Sequence, residues 1–168
     1  MKYFRPLLLL LVLLIGTNEL NAQRGPRARA AVRRADKVHA RRVIRRTAFV
    51  ILAAQKKVAE NKVYTGDLAR SIAHQRLARK LYFRGEFLRA MHQSRRARYF
   101  AILALQANKG TETSDMKFDA EDESIMNADP VSDAVLDDQL NTESPGYSTN
   151  DEDFVNAVLD DIDITDIQ

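Results

Sequence analysis

The chain has 168 residues, a length that suits one domain with an appendage. It contains no cysteine, so disulfides are excluded and whatever folds must do so through packing alone. Its three histidines show no short metal-ligand spacing, and no nucleophile or phosphate-binding motif is present. We therefore expect a protein that is not an enzyme and has no cofactor or metal.

Residues 1–22 have the pattern of an export signal. A positively charged start precedes an apolar run at residues 6–16, and cleavage is expected near Ala22/Gln23. The run is shorter than the roughly 20 residues that a spanning helix needs. The sequence predicts an exported protein, periplasmic or secreted, and an uncleaved anchor is the alternative.

Charge divides the rest of the chain into two parts. Residues 23–109 carry 23 Lys/Arg against four acids, a net of +19, and residues 110–168 carry 18 acids against Lys117, a net of −17. We call residues 23–109 the basic body and residues 110–168 the acidic tail. Such asymmetry points to contacts with polyanions or with a charged partner.

The basic body is predicted to be all-α. Apolar residues recur at helical spacing from residue 27 to about 60, then over 67–82 and from 86 to about 108, with glycines between. We expect a three-helix bundle or a helical hairpin with one long N-terminal helix. Small residues on the third helix predict close helix packing; they are Ala90, Ser94, Ala97, Ala101 and Ala104.

A segment is repeated within the body. "GDLARSIAHQRLAR" at residues 66–79 is followed by "GEFLRAMHQSRRAR" at residues 85–98. Residues 77–99 resemble one tetratricopeptide repeat, on the spacing of Ala78, Leu81, Tyr82, Gly85, Glu86, Phe87, Ala90 and Ala97. The resemblance implies a helix–turn–helix unit of a kind that stacks and binds proteins or peptides. One unit cannot bury its own apolar face, so either the first helix closes the bundle or copies associate into a homo-oligomer.

The acidic tail is too poor in apolar residues to fold alone, so we expect it to be mostly disordered. It nevertheless contains "AVLDD" twice, at residues 134–138 and 157–161. Around the second copy, helical spacing places five apolar residues on one face, which predicts a docking segment; they are Phe154, Val155, Val158, Leu159 and Ile162. A solvated tail without contacts is the alternative.

The arginines of the body should be covered by an anion. In "RRADKVHARRVIRR", like charges four residues apart each cost roughly 0.2–0.5 kcal/mol. The predicted anion-binding residues are Arg33, Arg34, Lys37, Arg41, Arg42, Arg45, Arg46, Arg70, Arg89 and Arg95.

The sequence leaves two candidates for the anion that covers these arginines. The first is the protein's own tail, in cis or from a second copy, which would make the chain a small exported helical interaction protein. The second is an external polyanion such as nucleic acid, anionic lipid or polysaccharide, with the tail as autoinhibitor. The tail could also bind a basic protein. No small-molecule substrate is indicated, and membrane contact is expected only through the signal peptide or an anionic surface.

Overall fold

A computed structural model describes the backbone of residues 26–164 and the side chains of residues 34–164. The export signal predicted at residues 1–22 and the side chain of Arg33 lie outside the described residues. The chain divides into two units between Ala35 and Asp36, and the contacts below belong to the second. None of the described helices is long and apolar enough to cross a membrane.

The all-α prediction is confirmed: residues 26–164 form five α-helices and three short 3-10 turns, without a strand. The body contains α1 (Pro26–Asn61), α2 (Asp67–Phe83) and α3 (Phe87–Ala107). The tail contains α4 (Ala120–Ala128), α5 (Asp133–Glu143) and the 3-10 turns Ser114–Met116, Asp151–Asp153 and Asp160–Ile162. The bounds of α2 and α3 agree with the sequence prediction to within one residue.

Helices α2 and α3 form an antiparallel hairpin around the turn at Gly85, whose φ of 78° is in the left-handed region. The small residues predicted on α3 are all fully buried: Ala90, Ser94, Ala97, Ala101 and Ala104. Because they lack bulk, α3 can approach its neighbours closely. The apolar face of α1 joins both helices in two core clusters, one around Ile51 and one around Ile44.

The acidic tail is ordered from Gly110 to Ile164, which differs from the expectation of a mostly disordered segment. It contributes eight buried apolar side chains: Met116, Met126, Leu136, Leu140, Phe154, Leu159, Ile162 and Ile164. Seven of them belong to the two core clusters of the body. We expected disorder because the tail has too few apolar residues to form a core by itself. In the structure, its apolar side chains are buried mainly against the body.

The second "AVLDD" copy is not helical, which corrects the prediction for the docking segment. Residues 134–138 lie within α5, but Leu159 has φ −105° and ψ 58°, outside the helical region. Phe154, Leu159 and Ile162 are buried, whereas Val158 is 84 % exposed, so the five apolar residues do not share one face. The side-chain amide of Gln55 binds the carbonyls of Phe154 and Ala157, in competition with helical hydrogen bonds.

The tail also caps the body helix α2. This helix follows Gly66, which has no side chain to cap it, and three nearby backbone N–H groups instead donate to the buried carboxylate of Asp151. The N–H groups of Thr65, Gly66 and Ala69 each lie 2.9 Å from its oxygens. Gly66 has φ 81°, and a Cβ there would lie 3.0 Å from the carbonyl oxygen of Thr149. The glycine therefore permits both the turn and the close approach of the tail.

Replacing Asp151 with alanine should lower the free energy of unfolding by about 1–3 kcal/mol, because three backbone donors at a helix N-terminus, of which the N–H of Ala69 is buried, lose their acceptor. The measurement is urea unfolding followed by circular dichroism. Glu152→Ala removes the adjacent, exposed carboxylate and should change stability by less than about 0.5 kcal/mol. Equal effects of the two substitutions would contradict the capping role.

Candidate functional site

The most strongly charged contact joins α1 to α4. Asp122 has a fully buried side chain and accepts from Arg42, with Nη2 to Oδ1 at 2.7 Å and Nε to Oδ2 at 3.1 Å. Arg46 Nη1 lies 3.1 Å from Asp119 Oδ2, and His39 Nδ1 lies 3.2 Å from Asp122 Oδ1. The hydrogen bond that Arg42 donates to Asp122 raises the pKa of Arg42 above its usual value. This contact places the first helix of the tail across the arginine-rich part of α1.

Local sequence explains why α4 presents its acids in this way. Asp119 is the N-cap, and its Oδ1 accepts from the N–H of Asp122 at 2.8 Å. Further acids occupy the first turn, where the helix dipole favours negative charge. The hydrogen bond from the Asp122 N–H, together with the charges of Arg42 and Arg46, lowers the pKa of Asp119. The same carboxylates therefore start the helix and bind the body.

A second contact joins α3 to α5. Arg96 donates through Nη2 to Asp137 Oδ2 at 2.7 Å and through Nη1 to Asp133 Oδ2 at 2.8 Å. Burial opposes ionisation of Asp137, but the hydrogen bonds and charge of Arg96 outweigh it and leave the pKa lowered. The arginine side chain is largely buried and its guanidinium carbon lies 4.4 Å from the centroid of the Phe100 ring. The cation–π contact positions Arg96 on α3, and its ion pairs hold α5 against α3.

His74 lies beneath this second contact. Gln93 Nε2 donates to Leu136 O and to Gln139 Oε1, both at 3.1 Å, so its Oε1 must accept from His74 Nδ1 at 2.7 Å. The other ring nitrogen lies 3.3 Å from Asp137 Oδ1. Burial lowers the pKa of His74, which favours a neutral ring whose Nε2 carries no proton for that carboxylate. Only the protonated ring can donate to Asp137.

Two more carboxylates of the tail pair with the α2–α3 hairpin. Glu143 at the end of α5 lies 2.9 Å from Arg84 and 2.5 Å from Arg89. Burial opposes its ionisation, but hydrogen bonding to Arg89 prevails and lowers the pKa of Glu143. Asp161 Oδ2 lies 2.7 Å from Arg76 Nε. Ion pairs to the body therefore occur between Asp119 and Glu143 and again at Asp161.

Buried amides hold the tail backbone against the body. Gln75 Nε2 donates to the carbonyls of Ile44 on α1 and Ile162 in the tail, at 2.8 and 2.9 Å. Its Oε1 accepts from the hydroxyl of Ser94 on α3 at 3.0 Å. One fully buried side chain therefore connects three segments of the chain.

Arg98 fixes the connection between body and tail. It is 3 % exposed, donates from Nη1 to the carbonyl of Met116 at 2.7 Å, and places its guanidinium carbon 3.5 Å from the ring centroid of Phe118. Burial, followed by the charge of Arg46, lowers the pKa of Arg98 to about 10.

The predicted anion-binding residues have different surroundings. Arg42, Arg46 and Arg89 pair with tail acids, Arg95 donates to the carbonyl of Val131, and Arg70 lies 5.6 Å from the Phe100 ring centroid. The remaining four of these residues are exposed and have no carboxylate within 4.0 Å among the described residues: Arg34, Lys37, Arg41 and Arg45.

Several residues of the contact were missing from the sequence prediction: Arg76, Arg84, Arg96 and Arg98 of the body, with His39, His74, Gln55 and Gln75. No local pattern distinguishes them, because each partner lies 18 or more residues away. A signal did exist for the tail helices. Asp119 with acids after it, and Ser132 before Asp133, are typical helix N-termini.

Comparison with known proteins finds no matching family model, no similar curated protein and no similar solved structure. The resemblance of residues 77–99 to a tetratricopeptide repeat stays a prediction. Within the part of the chain that the structure describes, there is no cluster of three or more acidic or histidine side chains arranged to hold a metal ion.

Replacing Asp122 with asparagine should lower the free energy of unfolding by about 1–3 kcal/mol, because Arg42 loses its charged acceptor and the partly exposed guanidinium is rescued only in part by water. Denaturant unfolding of the full chain measures this. Glu123→Gln is the matched control, since Glu123 is exposed and has no ion pair among the described residues. A loss as large in the control would contradict a specific role for Asp122.

Acidification should destabilise the fold in two stages. Burial lowers the pKa of His74 and of His92, so their contribution is complete above the unfolded value of about 6.5 and decreases as the pH falls below it. Asp119, Asp137 and Glu143 have lowered pKa values, so their contribution is complete above about pH 4 and is lost below it. Urea unfolding from pH 8 to pH 3 measures both stages, and a stability that rises on acidification would contradict the pairing.

Proposed function

We propose that the chain is an exported, non-enzymatic helical interaction protein whose basic body is neutralised in cis by its acidic tail. The observation that carries this proposal is the distribution of ion pairs. Seven tail carboxylates lie within 4.0 Å of basic side chains of the body: Asp119, Glu121, Asp122, Asp133, Asp137, Glu143 and Asp161. The composition of residues 1–22 supports export.

Tethering favours the tail over external anions. A short flexible link gives an effective concentration on the order of mM, whereas non-specific nucleic-acid binding has dissociation constants of about 10⁻⁴–10⁻⁶ M at physiological salt. The tail contact is also specific, because Asp122 and Asp151 are buried and bound by several donors each. The body is thereby withdrawn from indiscriminate contacts with polyanions.

A second candidate function is polyanion binding through the part of α1 that the tail leaves uncovered. Lys37, Arg41 and Arg45 are exposed, and their ion-pairing capacity is unused among the described residues. Arginine suits phosphate and sulfate through its planar, bidentate donor geometry. In this case the tail would limit the site to these residues.

Neutralising three paired tail acids should strengthen binding to heparin. Asp133→Asn, Asp137→Asn and Glu143→Gln together would release Arg84, Arg89 and Arg96, so this variant should elute from immobilised heparin at a higher salt concentration than the unaltered chain. The matched control is Asp138→Asn, Glu152→Gln and Asp160→Asn, which changes the net charge equally at exposed acids without ion pairs in the described structure.

Elution of both triple variants at the same salt concentration would contradict neutralisation by specific pairing, since only net charge would then matter. Circular dichroism of each variant establishes that it is folded. The second candidate is tested on the same column with Arg41→Gln and Arg45→Gln. A loss of retention larger than that of the control Lys62→Gln and Lys117→Gln supports polyanion binding, and an equal loss opposes it.

A further inference from the structure

One face of α1 is uncovered by the tail and combines basic with apolar side chains. Spacings of three and four residues align Val38, Arg41, Arg45, Phe49 and Leu52 along the helix. Val38, Phe49 and Leu52 are 63, 52 and 47 % exposed, and Phe49 and Leu52 are neighbours one helical turn apart. We call these five residues the open face.

The open face forms one side of a groove of about 870 Å³. Leu159 and Ile162 of the tail also line this groove, and both are buried in the body core. Asp115 and Asp163 line it as well. Because α1 and the tail both contribute lining residues, the groove is complete only when the tail is docked.

The body already binds acidic apolar segments in a recurrent manner. On α5, Leu136 is buried while the adjacent Asp137 pairs with Arg96. In the last 3-10 turn, Ile162 is buried while the adjacent Asp161 pairs with Arg76. An apolar anchor beside a carboxylate is thus what this surface recognises. The open face offers the same two elements, with Arg41 and Arg45 beside Phe49, and neither arginine has a carboxylate partner among the described residues.

We propose that this groove binds an acidic amphipathic helix of a partner protein, with carboxylates on Arg41 and Arg45 and apolar side chains against Phe49 and Leu52. From Val38 to Leu52 the open face runs for about 21 Å, the length of a helix of about 14 residues. Helix-in-groove binding uses anchors at such spacings. The inference deepens the proposed interaction role by assigning a class of partner.

The apolar residues distinguish this occupant from other anions. Nucleic acid and sulfated polysaccharide would satisfy Arg41 and Arg45 but leave Phe49 and Leu52 without apolar contacts. A lipid bilayer would cover a convex apolar face, whereas this site is a groove. A helix with one acidic and one apolar side matches both kinds of group.

The test measures binding of a fluorescein-labelled peptide of residues 130–144, an acidic amphipathic helix by sequence, to the full chain by fluorescence anisotropy. Arg41→Gln with Arg45→Gln, and separately Phe49→Ser with Leu52→Ser, should each weaken binding about tenfold or more. Lys62→Gln with Lys117→Gln should leave the affinity unchanged, because neither residue lines the groove. Circular dichroism and thermal unfolding identify any variant that is misfolded.

Three outcomes would overturn the inference. The peptide could fail to bind. It could bind equally to both groove variants, which would mean that it exchanges with α5 at its own position on the body. The chain could bind vesicles of phosphatidylcholine and phosphatidylglycerol through Phe49 and Arg45 while the peptide does not bind, which would assign the groove to a lipid surface. None of these variants alters a tail carboxylate, so the groove can fail while neutralisation by the tail stands.

Discussion

Pairing between arginines of the body and carboxylates of the tail is the interaction on which the rest of the structure depends. The body carries a net charge of +19 over 87 residues, with like charges one helical turn apart on α1. Repulsion of this kind opposes helix formation unless anions are nearby. The tail supplies them at fixed positions, and the best buried of these, Asp122, receives donors from a single arginine in a forked arrangement. Charge segregation along the sequence becomes charge pairing in the fold.

These pairs are coupled to apolar packing, because each tail element places acids beside residues that enter the core. Met126 on α4 and Leu140 on α5 join the cluster around Ile44, while Phe154 and Leu159 join the one around Ile51. Exposed ion pairs alone contribute little stability, typically below about 1 kcal/mol each. Burial of the neighbouring side chains holds the charged groups in position, and the ion pairs determine where along the body each element lies.

The proposed roles follow from which basic residues the tail reaches. Six body arginines pair with tail carboxylates, namely Arg42, Arg46, Arg76, Arg84, Arg89 and Arg96. Arg41 and Arg45 instead line a groove that includes tail residues. Under the proposed function, the tail covers part of the basic surface and lines the remaining groove. It would then suppress contacts based on charge alone and leave a site where charge and apolar shape must both match.

The sequence by itself determined the local features of this protein: the all-α class, the bounds of α2 and α3, the positions of the turns at Gly66 and Gly85, and the small-residue stripe on α3. These depend on helical periodicity, glycine conformation and capping, which act over a few residues. Only the tertiary structure decided that residues 110–164 are ordered, that Asp151 caps a helix more than 80 residues away, and that Arg96 pairs with carboxylates whereas Arg45 has no such partner among the described residues. The two "AVLDD" copies make the reason plain. Identical residues lie within a helix at residues 134–138, whereas at 157–161 they are irregular up to the 3-10 turn that begins at Asp160. Around this second copy the amides of Gln55 and Gln75 bind backbone carbonyls from distant parts of the chain. Long-range partners of this kind leave no local pattern in the sequence.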